Sequence, residues 1–203
     1  MKIVCIGRNY AAHAKELGNA VPDEPVFFLK PETAILPAGR PFRIPEWSAE
    51  IHYELELVFR ISRECRNEKI TDLSAYVDGI TIGLDLTARD VQDELKKKGL
   101  PWEKAKAFDG SAVISDRFMD IPKDISSIAF RLEKNGSVVQ QATAAEMIHF
   151  PAALIGYVSR FITLERGDLL FTGTPAGVGK ILSGDHLIGK LNERSILELR
   201  VGA

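Results

Sequence analysis

Apolar positions recur along the chain in two rhythms: alternation in short runs, and a helical period in a few longer ones, with Gly, Pro, Asn and Asp crowded between them. Ile3–Ile6 reads as a strand, and Asn9–Leu17 as a short helix closed by Gly18. Val26–Leu29 is strand-like, and Pro31, Pro37, Pro41 and Pro45 then restrict the chain to turns and short edges. Ile51–Ile61 and Gly79–Leu86 are the two clearest strands. Thr87 with Asp90 resembles a capping box opening a helix over Ala88–Lys98, and Gly99 and Pro101 end it in the expected order. Asn135-Gly136 between Ala129–Lys134 and Ser137–Gln141 predicts a tight hairpin. Thr143 with Glu146 opens another helix, which Pro151 either kinks or restarts as a segment running to Phe161. Short strands and Gly-Asp turns at Gly167-Asp168 and Gly184-Asp185 complete the chain.

These elements predict a β-rich α+β fold. With 203 residues the chain builds one sizeable core rather than two, so residues 1–203 are taken as one catalytic-sized domain. A hydrophobic content of 45% and a charged content of 27% fit a soluble globular protein. The net charge of -2 argues against nucleic-acid and membrane-surface partners. Lys96-Lys97-Lys98 follows acidic residues in the same helix and reads as a solvated C-terminal turn. The apolar start MKIVCIGRNY is too short for a secretory signal or a membrane span. Cys5 sits in an apolar run and Cys65 in a charged turn, without disulfide or metal-ligand spacing, and a cytoplasmic location is the expectation.

Candidate chemistry begins in the strand Ile51–Ile61. Alternation puts Ile51, Tyr53, Leu55, Leu57 and Phe59 on one face and His52, Glu54, Glu56 and Val58 on the other. Glu54 and Glu56 then project in parallel from Cα atoms roughly 6.6 Å apart, a repulsive pair that a divalent cation would relieve. The wet face of a half-buried strand accounts for them as well. Asp85 shifts the balance, because it lies in an otherwise apolar strand where an unpaired carboxylate is costly to bury. Three carboxylates without thiols or paired imidazoles form a hard oxygen site suited to Mg²⁺, Mn²⁺ or Ca²⁺ rather than zinc. Gly173-Thr174-Pro175-Ala176-Gly177-Val178-Gly179-Lys180 fails as a phosphate loop, since Thr174 and Ile181 stand where glycine and Ser/Thr are required.

Glu54-x-Glu56, the run Leu84-Asp85-Leu86-Thr87-Ala88-Arg89-Asp90-Val91-Gln92, and Pro101-Trp102-x-x-Ala105-Lys106-x-Phe108 resemble the fumarylacetoacetate hydrolase family. Arg8-Asn9-Tyr10-x-x-His13 and Thr172-Gly173-Thr174-Pro175-x-Gly177-Val178-Gly179 extend the resemblance, in order, over essentially the whole chain. It is closest to the short members acting on acylpyruvates and oxaloacetate. The resemblance implies a mixed β-sheet roll or sandwich with short flanking helices, usually a homodimer, holding Mg²⁺ or Mn²⁺ on Glu54, Glu56 and Asp85.

It further implies that His13 and Glu16, three apart on one helical face, form a base pair activating water, and that Lys106 stabilises developing negative charge. By the same resemblance Gln92 and Thr174 contact substrate, with Lys30 adding positive charge to that pocket, while Arg89 braces its helix through an ion pair. His52 could support the carboxylates, and His149 and His186 read as structural or solvent-facing. The expected reaction is metal-dependent C–C hydrolysis of an acylpyruvate, or decarboxylation of oxaloacetate, through a metal-stabilised enolate. An oxo-acid isomerase or tautomerase, which would tolerate loss of His13, is the alternative, and a non-catalytic metal- or ligand-binding module is the alternative of another class.

Overall fold

The computed structural model describes residues 1–16, 18 and 20–202. In chain order the elements are β1 (Lys2–Gly7), α1 (Ala11–Glu16), β2 (Val26–Pro31), β3 (Ile51–Tyr53), β4 (Leu55–Ile61), β5 (Val77–Asp85), β6 (Thr87–Ala88), α2 (Arg89–Lys97) and α3 (Glu103–Lys106). They continue with β7 (Ala112–Ile114), β8 (Ala129–Lys134), β9 (Ser137–Thr143), α4 (Pro151–Val158), β10 (Leu169–Phe171), β11 (Gly179–Lys180), β12 (His186–Leu191) and β13 (Arg194–Arg200). The end of the helix expected over Asn9–Leu17 falls at Leu17, outside the described residues.

A mixed sheet of order β2-β1-β10-β4-β5-β7 faces an antiparallel sheet of order β13-β12-β8-β9, and a small sheet β11-β3-β6 lies at one end. β1 and β10 pair in parallel, and the other strand pairs described in the large sheet are antiparallel. The α+β, strand-rich class expected from the chain is therefore what forms. Alternation decides which residues enter the main core: Leu55, Leu57, Phe59 and Ile61 of β4 join Leu132, Leu187 and Leu197 from the second sheet. The opposite face of β4 is not wet. Val58 packs there with Ile3, Cys5 and Phe171 in a second apolar cluster, so the large sheet is buried on both sides.

Close packing leaves no room beside Gly83 at the centre of β5. A Cβ there would sit 2.6 Å from the Phe171 ring and 2.9 Å from the Val113 carbonyl oxygen. Gly83→Ala is expected to cost about 1–3 kcal/mol by overpacking. Urea denaturation checks this, and an unchanged midpoint would contradict the tight sheet centre.

Several local expectations need correction. The run Ile51–Ile61 is two strands, because Leu55 N–H turns to Gln140 Oε1 (2.9 Å) while β3 pairs with β6 and β11, and β4 with β5 and β10. Thr87 is not a helix cap. It lies in β6, its hydroxyl accepts from Lys106 Nζ at 2.6 Å, and Asp90 instead accepts from Ser48 Oγ (2.7 Å) and Ala49 N–H (2.8 Å). Cys65, in its charged stretch, is buried and bridges to another segment, its N–H bonded to the Leu164 carbonyl at 2.9 Å.

Other signals hold. Asn135 and Gly136 take φ values of 52° and 82°, the left-handed pair of a tight hairpin turn between β8 and β9. Glu146 accepts from Thr143 N–H at 2.7 Å, closing only a single 3₁₀ turn, and Pro151 starts α4 as its first residue. Among the described residues no helix is long and apolar enough to cross a membrane.

Candidate active site

The strand break at Glu54 builds the site. Glu54 lies between β3 and β4, Glu56 follows in β4, and Asp85 ends the adjacent β5, with Asp85 N–H donating to the Glu54 carbonyl at 2.9 Å. One carboxylate oxygen from each of the three lies within 4.8 Å of the others, and all three side chains are buried. Glu56 is 1% exposed, which removes the reading of these glutamates as a solvated strand face.

The three are not electrostatically equivalent. Burial pushes the Glu54 carboxyl up, but Lys106, Arg89 and then His13 outweigh it and hold Glu54 well below the usual carboxylate range. Glu54 Oε2 accepts from Lys106 Nζ at 2.9 Å, and Arg89 Nη2 binds its other oxygen. Glu56 goes the other way. Burial first, then the Asp85 and Glu54 charges, push its carboxyl well above the usual range, against Lys106 and a 2.6 Å hydrogen bond from Gly173 N–H. Gly173 is required for that bond: its φ is +94°, and a Cβ there would lie 2.8 Å from Asn9 Cβ. Burial lowers Lys106, but Asp85 and Glu54 more than compensate, so its ammonium stays charged. Lys106 Nζ also donates to Asp85 Oδ2 at 2.6 Å.

A divalent ion fits this donor set. Three buried carboxylates offer hard oxygens, Glu56 carries a charge that its surroundings disfavour, and among the described residues no thiol or imidazole joins the cluster.

The cleft around the cluster holds about 430 Å³ of empty space, its open mouth included, and is lined by Arg8, His13, Gln92, Lys106 and Thr174 among others. From α1, His13 Nδ1 lies 3.3 Å from Glu16 Oε2, and Glu16 in turn accepts from Gly177 N–H at 3.1 Å, pinning the short helix to the Gly-rich loop. Burial lowers the His13 pKa, only partly offset by the Glu54 charge and the hydrogen bond His13 makes to Glu16, so the imidazole is neutral at neutral pH. On α2, Gln92 Oε1 accepts from Arg89 Nη1 at 2.6 Å. Arg89 does brace its helix, but its carboxylate partner is Glu54 of the acidic cluster itself.

Two expected substrate groups are placed differently. The Thr174 hydroxyl donates to the Leu55 carbonyl (2.9 Å) and accepts from Gln140 Nε2 (2.8 Å), so it has no proton left for a ligand. Thr174 still lines the cleft, and its backbone N–H donates to no acceptor among the described residues. Lys30 lies beneath the floor rather than in the cleft. Its ammonium is buried, donates to the Ser111 carbonyl at 3.0 Å and to the Lys106 carbonyl, and lies 2.8 Å from Asp85 Oδ1. It fixes the Lys106 turn and offsets the Asp85 charge. His52 does not line the cleft, His186 pairs with Glu198 at the surface (2.9 Å), and the His149 backbone is clamped by the Asn9 side chain.

Sequence reasoning missed Gln140 and the clamp made by Asn9. Gln140 holds Leu55, Thr174 and Pro175 together, and its one signal was a polar residue at an inward position of β9.

Residues 2–201 match the family described as fumarylacetoacetate (FAA) hydrolase C-terminal. The chain belongs to this family. It is 46% identical over 188 residues to oxaloacetate tautomerase YcgM of Escherichia coli (strain K12), covering 92% of this chain and 86% of the relative. It is 44% identical over 189 residues to the mitochondrial oxaloacetate tautomerase FAHD1 of Homo sapiens, covering 91% and 84%. Among solved structures, the fumarylpyruvate hydrolase of Pseudomonas aeruginosa in complex with Mn²⁺ and pyruvate superposes with a TM-score of 0.92 at 35% identity, covering 100% of this chain and 89% of that one. This member of the fumarylacetoacetate hydrolase family is an enzyme, as these relatives are.

Proposed function

We propose that the protein is an oxaloacetate tautomerase, interconverting the keto and enol forms with the help of Mg²⁺ or Mn²⁺. One observation carries the proposal beyond the similarity to oxaloacetate tautomerases at 44% and 46% identity. Of the titratable groups lining the cleft, His13 is the one neutral base; the others are the clustered carboxylates Glu54, Glu56 and Asp85 and the cations Arg8, Arg89, Lys96 and Lys106. Keto–enol exchange needs one such base, beside an electrostatic trap for the oxyanion.

A divalent ion held by Glu54, Glu56 and Asp85 would supply Lewis acidity toward the 2-oxo group. Gln92 and the Thr174 N–H orient the oxo-acid. His13 Nε2, left free because Nδ1 faces Glu16, takes a proton from C3 as the C2–C3 double bond forms, and the resulting imidazolium gives that proton up to the 2-oxo oxygen, directly or through water, to complete the enol; the reverse direction runs the same two transfers backwards. The Lys106 ammonium stabilises the negative charge that develops on the 2-oxo oxygen. His13 thus serves tautomerisation as well as water activation, in place of the sequence-based expectation that a tautomerase would tolerate its loss. The second reading, C–C hydrolysis of an acylpyruvate, is favoured by the His13–Glu16 pair and by the likeness to fumarylpyruvate hydrolase. Exposed Phe150 and Phe161 offer apolar surface for the homodimer, and the cytoplasmic setting stays part of this proposal.

The test follows the absorbance of enol-oxaloacetate with and without Mn²⁺. The protein should accelerate its decay, and His13→Ala should lower kcat by about 10²–10⁴-fold. No acceleration by the wild type would overturn the proposal. The acid limb of kcat/KM should lie below 6.5, because burial lowers the His13 pKa and activity is lost only when the imidazole becomes protonated. Glu16→Gln removes an influence that raises that pKa, so it should move the limb to still lower pH. A limb moving to higher pH would contradict the pairing.

A further inference from the structure

The cations of the cleft are not all used by the acidic cluster. Arg89 and Lys106 are tied to Glu54, whereas Arg8 and Lys96 line the same cleft with no carboxylate in ion-pair contact among the described residues. Lys96 is half-buried and rests over the Trp102 ring, its Nζ 5.5 Å from the centroid. It is not part of the solvated basic turn that Lys96-Lys97-Lys98 suggested. Burial, then the positive charges of Arg89 and Arg8, lower its pKa, with Asp93 and Glu54 opposing. Two cations therefore line the cleft without a neutralising group bound to either.

Arg8 adds a second observation. It follows β1 with φ of 59°, in the left-handed region that a side chain of its size rarely adopts. Such strain persists where the surroundings over-determine it, and it aims this half-buried side chain at the cleft. Arg89, Gln92 and Lys96 share one face of α2, and Lys96 lies four residues beyond Gln92, roughly 6 Å along the axis.

We propose that Arg8 and Lys96 form a subsite for the second carboxylate of a four-carbon 2-oxo diacid, making the cleft selective for dicarboxylates over uncharged acyl chains. The inference rests on the tautomerase reading and names its substrate class. Of the four cations that line the cleft, Arg89 and Lys106 are already paired with its carboxylates, so a second carboxylate on the substrate would meet Arg8 and Lys96, which a monocarboxylate leaves without a counter-charge.

The test compares oxaloacetate with its 4-methyl ester, which keeps the reacting atoms and removes the distal charge, and uses oxalate as an inhibitor with no distal arm. The wild type should prefer the diacid by about tenfold or more in kcat/KM, as expected for charge-assisted hydrogen bonds. Arg8→Gly, which also relieves the backbone, and Lys96→Gln should each raise KM for the diacid about tenfold with little change in kcat. Their effect on the ester and on inhibition by oxalate should be several-fold smaller, the double variant should lose the preference, and Arg8→Lys should restore part of it. Equal effects on diacid and ester, or none on either, would overturn the subsite. Absence of turnover by the wild type would instead overturn the tautomerase reading. Calorimetric affinities for diacid and ester in the same variants would then still decide the subsite: a lost preference supports it and an unchanged ratio refutes it.

Discussion

Glu56→Gln is expected to abolish the stabilisation of this protein by Mg²⁺ or Mn²⁺ and to lower turnover by at least about 10²-fold, the scale seen when a charge-stabilising group is removed. A ligand bound only by the folded state at a hundred times its Kd stabilises by about 2.7 kcal/mol. The wild type should show a rise in thermal midpoint of that origin on adding the ion, and the variant little or none. The metal-free variant should be no less stable than the metal-free wild type, because burial and the Asp85 and Glu54 charges disfavour the ionised form of Glu56. The pH dependence has a definite sign. A carboxyl raised above its unfolded value near 4.5 contributes stability that is complete below that value and is lost as pH rises through the folded one. The advantage of the Glu56→Gln variant over the metal-free wild type should therefore grow with pH. Melting curves across pH, with and without Mn²⁺, check both parts. A metal-induced shift retained in full by the variant would refute the assignment of Glu56.

Lys106→Met should separate fold from chemistry in a different way. The Lys106 ammonium is buried against Glu54 Oε2 (2.9 Å), Asp85 Oδ2 (2.6 Å) and Thr87 Oγ1 (2.6 Å). Removing it leaves two buried carboxylates short of a partner, a loss of about 3–5 kcal/mol in the metal-free protein. A divalent ion on the same oxygens should recover much of that stability. Turnover should not recover, since the charge that meets the developing oxyanion has gone, and kcat should fall about 10²–10³-fold. Urea denaturation with and without Mn²⁺, alongside the enol assay, makes the comparison. A variant that regains both stability and rate with the ion would show that Lys106 is only structural.

What could be read from the chain was set by how local each cause was. Asp85 stood out because one acid in an apolar strand has few explanations, and Asn135-Gly136 because left-handed turns accept few residues. The faces of β4 followed from alternation, yet the burial of its Glu56 face did not, since that depends on Ile3, Cys5 and Phe171 far away in the chain. The break at Glu54 hangs on Gln140, a partner of Leu55 that lies 85 residues away and that no spacing rule could find. Lys30 and Thr174 were legible as polar residues of interest. Only their contacts showed that the ammonium serves the backbone of the Lys106 turn and that the hydroxyl serves the Leu55 carbonyl. Lys96 misled for the opposite reason. Its neighbours Lys97 and Lys98 made it look like part of a solvated run, while the helical phase it shares with Arg89 and Gln92 turns it into the cleft.

The most direct measurement is a proton NMR time course of oxaloacetate in D₂O with the Mn²⁺-free, Mg²⁺-loaded enzyme, following deuterium entry at C3 and pyruvate formation in the same tube. A tautomerase with His13 as its base predicts exchange at C3 that is strongly accelerated by the enzyme and lost in His13→Ala, while pyruvate accumulates no faster than without enzyme. Rapid pyruvate formation with no accelerated exchange would contradict it and turn the site over to C–C bond cleavage.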